Sequence, residues 1–163
     1  MYATRDKKAS FITMTNLSQI QNFVRINDHL AIGGQPGTRQ LDLLKANNIE
    51  VVLQLCVDES PYSVDSERFH LNRLGIVHLS MNVSLYYPTQ ADVWHFSEFM
   101  DIYQGKNMFV HCSTGFGASN MVALYLMQRE GKLLDEVRHL VVPGWEPTYN
   151  WRQIFNDFVP TQC

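Results

Sequence analysis

The chain has 163 residues, the length of one domain at roughly 100–200 residues each. Hydrophobic residues make up 45% and charged residues 18%, which excludes a disordered or collagen-like chain and leaves enough apolar material for a core. Thirteen Lys and Arg against sixteen Asp and Glu give a net charge of −3, which argues against nucleic acid or an anionic membrane as the main partner, since both call for a basic surface.

Residues 1–15 read as a flexible N-terminal arm, and 16–163 as a single domain without repeats or low-complexity tracts. Residues 28–32 predict a short strand, closed by the turn chemistry of Gly33-Gly34-Gln35-Pro36-Gly37. Thr38 is placed to cap a helix running to Asn48, with Leu41 and Leu44 facing inward. A buried strand follows over 50–56, ended by Asp58-Glu59-Ser60-Pro61. A helix over 63–74 carries Phe69 and Leu74 and stops at Gly75, and a second buried strand covers 76–81.

The strongest helical pattern spans 89–104. Thr89 and Asp92 have capping-box spacing, and Phe96, Phe99, Met100 and Tyr103 follow i, i+3, i+4, i+7 before Gly105. A third strand is expected over 107–111. A loop from Cys112 to Ala118 then opens a helix over 119–130, stopped at Gly131. Another helix is predicted over 133–142, ended by Pro143. A last one is capped by Thr148 and carries Trp151, Ile154, Phe155 and Phe158. The aromatic and Met stripes on these helices are core positions.

Strands that alternate with helices imply right-handed crossovers and an α/β fold with a mainly parallel central sheet flanked by helices. Ligands of such folds bind at the carboxyl ends of the strands. That edge gathers Asp58 and Glu59, residues 82–87, and the loop from Cys112 to Ala118. Three cysteines, Cys56, Cys112 and Cys163, are an odd and sparse set for a disulfide framework, which points to a reducing compartment. No apolar signal region follows the N-terminus. The longest apolar run, 121–127, is far short of the roughly 20 residues a membrane span needs. A cytoplasmic location is expected.

Chemistry concentrates in Met108-Phe-Val-His111-Cys112-Ser113-Thr114-Gly115-Phe116-Gly117-Ala118-Ser119-Asn120. A buried strand ends in a cysteine, and a loop of small residues opens a helix. Loop N–H groups and a helix N-terminus favour an anion at that point. They also favour the thiolate, the form that acts as a nucleophile.

This segment resembles the signature of the cysteine-dependent protein tyrosine and dual-specificity phosphatases: His-Cys, five residues, Arg, then Ser or Thr. His111, Cys112, Gly115 and Ser119 match it. Ala31-Ile-Gly-Gly-Gln-Pro36 and Pro88-Thr89 resemble a family of small bacterial phosphatase-like proteins with a Gly-Gly-Gln-Pro motif. The resemblance covers residues 20–158 and implies a fold of the dual-specificity type. It implies Cys112 as nucleophile, forming a phosphocysteine that water hydrolyses. It implies that His111 holds the loop and tunes the thiol, that Ser119 hydrogen-bonds the sulfur, and that Ser113, Thr114, Gly115, Phe116, Gly117 and Ala118 cradle the phosphate. No cofactor is implied, and the expected partner is a phosphorylated protein or a small phosphate ester.

Two family features are missing. The signature Arg falls at Ala118, or at Gly117 if the loop is one residue shorter, so no guanidinium grips the phosphate. The loop expected to carry the general acid, residues 80–87, has no carboxylate. Asp92 is explained by its capping position, which leaves Asp58 and Glu59 as candidate general acids, against their reading as exposed turn residues. Arg129, Arg138 and Arg152 read as solvated helix residues. His70, His78, His95 and His139 have no shared ligand spacing, so no metal site is expected. The expected function is phosphate ester hydrolysis of low activity. The alternatives are a pseudophosphatase that binds phosphorylated ligands and a rhodanese-like sulfur carrier.

Overall fold

The structure, a computed structural model, describes residues 16–56 and 64–158. The expected arm of 1–15, the candidate acids Asp58 and Glu59, and Cys163 lie outside the described residues.

The sheet begins with a hairpin that the sequence pattern only half reveals. Strand β1 (Val24–Asn27) runs antiparallel to β2 (Leu30–Gly33), with Val24 opposite Ile32 and an irregular register between Arg25 and Asn27. Asp28, expected inside a strand, sits in the connecting turn, where Asn27 Oδ1 accepts from the His29 N–H at 2.9 Å. β1 alternates half-buried and exposed positions, so its apolar signal is weak.

Helix α1 (Thr38–Ala46) leads to β3 (Val51–Cys56), α2 (Val64–Arg73) to β4 (Val77–Asn82), and α3 (Gln90–Ile102) to β5 (Met108–His111). The five strands lie in the order β1-β2-β5-β3-β4, and every pair except β1–β2 is parallel. The mainly parallel sheet expected from the alternating pattern is thus present. β4 is an edge strand in which Met81 alone is buried, so the expectation of a fully buried strand there is corrected.

Side chains along a strand point to alternate faces, and the sheet is covered on both. Ile32, Leu53 and Val110 pack under α3, under α4 (Phe116–Glu130) and under α6 (Tyr149–Asp157), which contributes Trp151 and Phe155. Ala31, Val52 and Phe109 pack on the other side with Leu41 and Leu44 of α1 and Leu71 of α2. Each fully buried apolar side chain of this size stabilises by about 1.5–3 kcal/mol.

Two helices differ from expectation. α4 starts at Phe116 rather than Ser119 and has ten buried positions. The helix predicted over 133–142 is only α5 (Leu134–Val137). The β-branched pair Val141-Val142 and Pro143 oppose its continuation, and both valines are buried in the core instead. Thr89 and Asp92 do form a reciprocal cap: Thr89 Oγ1 accepts from Asp92 N at 3.2 Å, and Asp92 Oδ2 accepts from Thr89 N at 2.8 Å. Among the described residues no helix is long and apolar enough to cross a membrane.

Candidate functional site

The loop between β5 and α4 lies at the carboxyl end of the central strand. Gly115 is its pivot, with φ +94°, a left-handed conformation that suits glycine. A β-carbon there would stand 3.1 Å from the Gly33 carbonyl carbon. The Gly33-Gly34 turn is therefore packed backbone to backbone against this loop. Gln35 N donates to Ser113 O at 3.1 Å, and Asn22 Nδ2 donates to Thr114 O at 2.8 Å.

Cys112 is buried, and its Sγ accepts a hydrogen bond from Gly115 N at 3.1 Å. The first intrahelical bond of α4 runs from Ser119 N to Gly115 O at 3.0 Å. Hence Phe116, Gly117 and Ala118 contribute N–H groups without intrahelical acceptors, and Gly115 at the N-cap has no side chain to cap them. These donors and the positive end of a 15-residue helix stand beside the sulfur.

Leu85 covers this point. A β-carbon at Gly117 would lie 2.6 and 2.9 Å from the two Leu85 methyls and 3.3 Å from Cys112 Sγ. The loop carrying Leu85 is tied to α6, with Trp151 Nε1 donating to Leu85 O and Asn150 Nδ2 to Tyr86 O, both at 2.7 Å. Tyr86, Tyr87, Phe116 and Tyr149 on these segments are exposed.

Behind the cysteine lies a buried polar network. His111 Nε2 donates to Glu67 Oε1 at 2.6 Å, and Gln35 Nε2 donates to Glu67 Oε2 at 2.8 Å. His78 Nε2 lies 3.9 Å from Glu67 Oε1 and 3.0 Å from Gln54 Oε1. Burial pushes the Glu67 carboxyl up. The hydrogen bonds from His111 and Gln35, with the His111 and His78 rings nearby, outweigh it and hold Glu67 below the usual carboxylate range. Burial pushes His78 down, aided by Arg68 and His111 and opposed by Glu67.

Ser119 is placed differently from the role implied for it. Its hydroxyl donates to Gly115 O at 3.0 Å and accepts from Val142 N at 3.3 Å, so its one proton is directed to the loop carbonyl rather than to the sulfur. Ala118 is fully buried in the core. The three arginines are engaged elsewhere: Arg129 with Asp101, Arg138 with Glu146 and Asp135, and Arg152 with Pro147 O. Among the described residues no group of three or more His, Cys, Asp or Glu is gathered to hold a metal ion.

Sequence reasoning missed Glu67, Gln35, Asn22 and Leu85. Glu67 sits in a helix of polar sequence and looks like a solvated acid. The Gly-Gly-Gln-Pro turn carried the one available signal, since a turn that rich in special residues near the same sheet edge has a neighbour to fit.

No protein-family model matches the sequence, and no curated protein does. Solved structures do match in shape. A DUF442 protein of Shewanella putrefaciens CN-32, described as a candidate phosphatase, superposes with a TM-score of 0.78 at 24% identity, covering 87% of this chain and 93% of that one. Tk-PTP in its active form gives 0.71 at 22% identity, over 86% and 98% of the two chains. PTPMT1 gives 0.66 at 21%, over 84% and 93%. The sheet order, the covering helices and these superpositions together establish that the chain has the protein tyrosine phosphatase-like α/β fold.

Proposed function

We propose that the chain is a cysteine-dependent phosphate ester hydrolase of the protein tyrosine and dual-specificity type, with low turnover, acting in the cytoplasm on a phosphorylated protein or a small phosphate ester. The observation that carries this reading is Cys112 Sγ under the Gly115 N–H, beside the uncapped first turn of α4. A thiolate there would attack phosphorus while the ester P–O bond breaks. Water would then cleave the S–P bond and release phosphate. The exposed rings of Phe116, Tyr86, Tyr87 and Tyr149 suit a flat apolar leaving group. The covalent route needs no cofactor.

Low turnover follows from what surrounds the sulfur. Ala118 stands at the Arg position of the signature, so the charge on the transferring phosphoryl group falls to the N–H groups of Phe116 to Ala118. One missing preorganised donor costs about 10²–10³ in rate. The leaving oxygen takes its proton from water unless a carboxylate from residues 57–63 reaches it.

The same absence favours a second reading, a module that binds phosphorylated ligands without turning them over. Purified protein assayed with p-nitrophenyl phosphate separates the two. Hydrolysis abolished by Cys112→Ser, with phosphocysteine trapped by acid quench, supports the hydrolase. Phosphate binding without turnover, converted to turnover by Ala118→Arg, supports the binding module and overturns the hydrolase.

A further inference from the structure

The Cys112 loop is fastened from behind by a residue that no motif marks. We propose that Glu67 is a positioning residue for Cys112: its two carboxylate oxygens tie His111 and Gln35, and thereby hold the Gly33–Gln35 turn against the loop that carries Cys112. This rests on the reading of the Cys112 loop as the working site.

The geometry is specific. Oε1 takes the His111 Nε2–H at 2.6 Å, and Oε2 takes the Gln35 amide at 2.8 Å. His111 is bonded directly to Cys112, so its ring orientation constrains the peptide that carries the nucleophile. Gln35 reaches the residue after the cysteine through its own N–H, which donates to Ser113 O at 3.1 Å. One carboxylate on α2 thus ties the turn at Gln35 and the strand end at His111, 32 and 44 residues away in sequence.

The burial has the same sense. Glu67 is the one buried carboxylate among the described residues, and the His111 ring beside it is fully buried. Burying a carboxylate is costly unless it is fully hydrogen-bonded, and a tie needed only for packing could be made with apolar side chains. His111 Nδ1 is buried and has no hydrogen-bond partner among the described residues. A ring with its proton on Nε2 therefore leaves only a lone pair unmatched, and Glu67 selects that tautomer. The other polar groups at the cluster are His78 on β4, bonded to Gln54, and Arg68, which donates to His78 Nδ1 at 3.5 Å. They close the network on the side away from the cysteine.

The experiment compares wild type, Glu67→Gln and the double variant Glu67→Gln with Gln35→Glu. Three quantities are read: the ¹⁵N signals of the His111 ring, the rate of Cys112 alkylation by iodoacetamide, and kcat and KM on p-nitrophenyl phosphate. Glu67→Gln keeps an acceptor for His111 but removes the carboxylate charge and points an NH2 at the Gln35 amide, which can match it only by turning over and giving up its own bond to Pro36 O at 3.2 Å. It should fold cooperatively, shift the His111 signals, and change the alkylation rate and kcat by about 10–100-fold, the scale of loss when the carboxylate orienting a metal-ligating histidine is removed. KM should move little. The double variant restores a donor–acceptor pair and should recover most of the loss. A folded Glu67→Gln with wild-type His111 signals and wild-type Cys112 reactivity overturns the proposal, as does a lowered melting temperature with no change at Cys112. If Glu67→Gln does not fold, Gln35→Met cuts one arm alone, and an unchanged alkylation rate there overturns it. A wild type without turnover would count against the hydrolase, whereas the ring signals and alkylation would still decide the role of Glu67.

Discussion

The methyl groups of Leu85 occupy the space beside Gly117 that a side chain would need, 2.6 and 2.9 Å from where its β-carbon would stand. Cys112 Sγ lies 3.3 Å from the same point, and Cys112 is 2% exposed. If Leu85 limits access to the sulfur, removing its side chain should expose Cys112 to reagents. Leu85→Ala should raise the alkylation rate of Cys112 several-fold while the melting temperature falls modestly. Gly117→Ala, whose methyl would meet both Leu85 and the sulfur, should lower the melting temperature without raising that rate. An unchanged rate in Leu85→Ala would show that Leu85 is no barrier.

The close approach of the two glycine-bearing segments predicts a stability cost. Gly115→Ala forces a side chain into a positive-φ conformation and sets its β-carbon 3.1 Å from the Gly33 backbone. We expect a loss of about 1–3 kcal/mol, read from the urea midpoint. Gly34→Ala, with its β-carbon 3.0 Å from Ser113 O, should also displace the cradle and weaken phosphate binding. Gly131→Ala meets no atom within 4 Å but shares a positive φ of 65°. It separates backbone strain from crowding.

Acid should destabilise the protein in two windows. Burial depresses His78 in the folded state below its ordinary 6.5, so the unfolded chain takes up that proton first and stability begins to fall as the pH drops below 6.5. The Glu67 carboxyl is held below its ordinary 4.5. Its contribution is present above 4.5 and is lost as the pH falls through the folded value. Melting curves across this range should lose the upper slope in His78→Gln and the lower slope in Glu67→Gln. Identical pH profiles in the variants would exclude these groups.

The buried and exposed carboxylates should respond very differently to deletion. Glu67→Ala leaves the neutral donors of His111 and Gln35 without their acceptor, and we expect a loss of about 1–3 kcal/mol for each donor left unmatched. Asp101 pairs with Arg129 at a half-exposed position, and Asp101→Ala should cost under about 1 kcal/mol. Chemical denaturation of the two variants side by side measures the contrast.

The parallel sheet and the cysteine loop were legible in the sequence because each leaves a local mark. Apolar runs such as 108–111 read as buried strands, and Cys112 followed by Gly115 and Gly117 reads as a strand-to-helix loop. The start of α4 was placed three residues late, because Phe116-Gly117 looks like loop chemistry although Gly115 alone makes the turn. The supports of the site were not legible. Glu67 and Asn22 meet the loop only through long-range folding, and a carboxylate in a polar helix has the same local pattern whether it is buried or solvated. Leu85 is invisible for a related reason: a leucine packed against a glycine more than thirty residues away leaves no spacing in the sequence.

β5 runs between β2 and β3 and is buried along its whole length, whereas the segment with Leu85 leaves β4 at the rim of the sheet. In amide hydrogen exchange these two parts should belong to different opening events. The backbone under Cys112 should exchange only when the whole domain unfolds, while the strap bearing Leu85 should exchange through smaller excursions. Equal protection of the two segments would show that they open together.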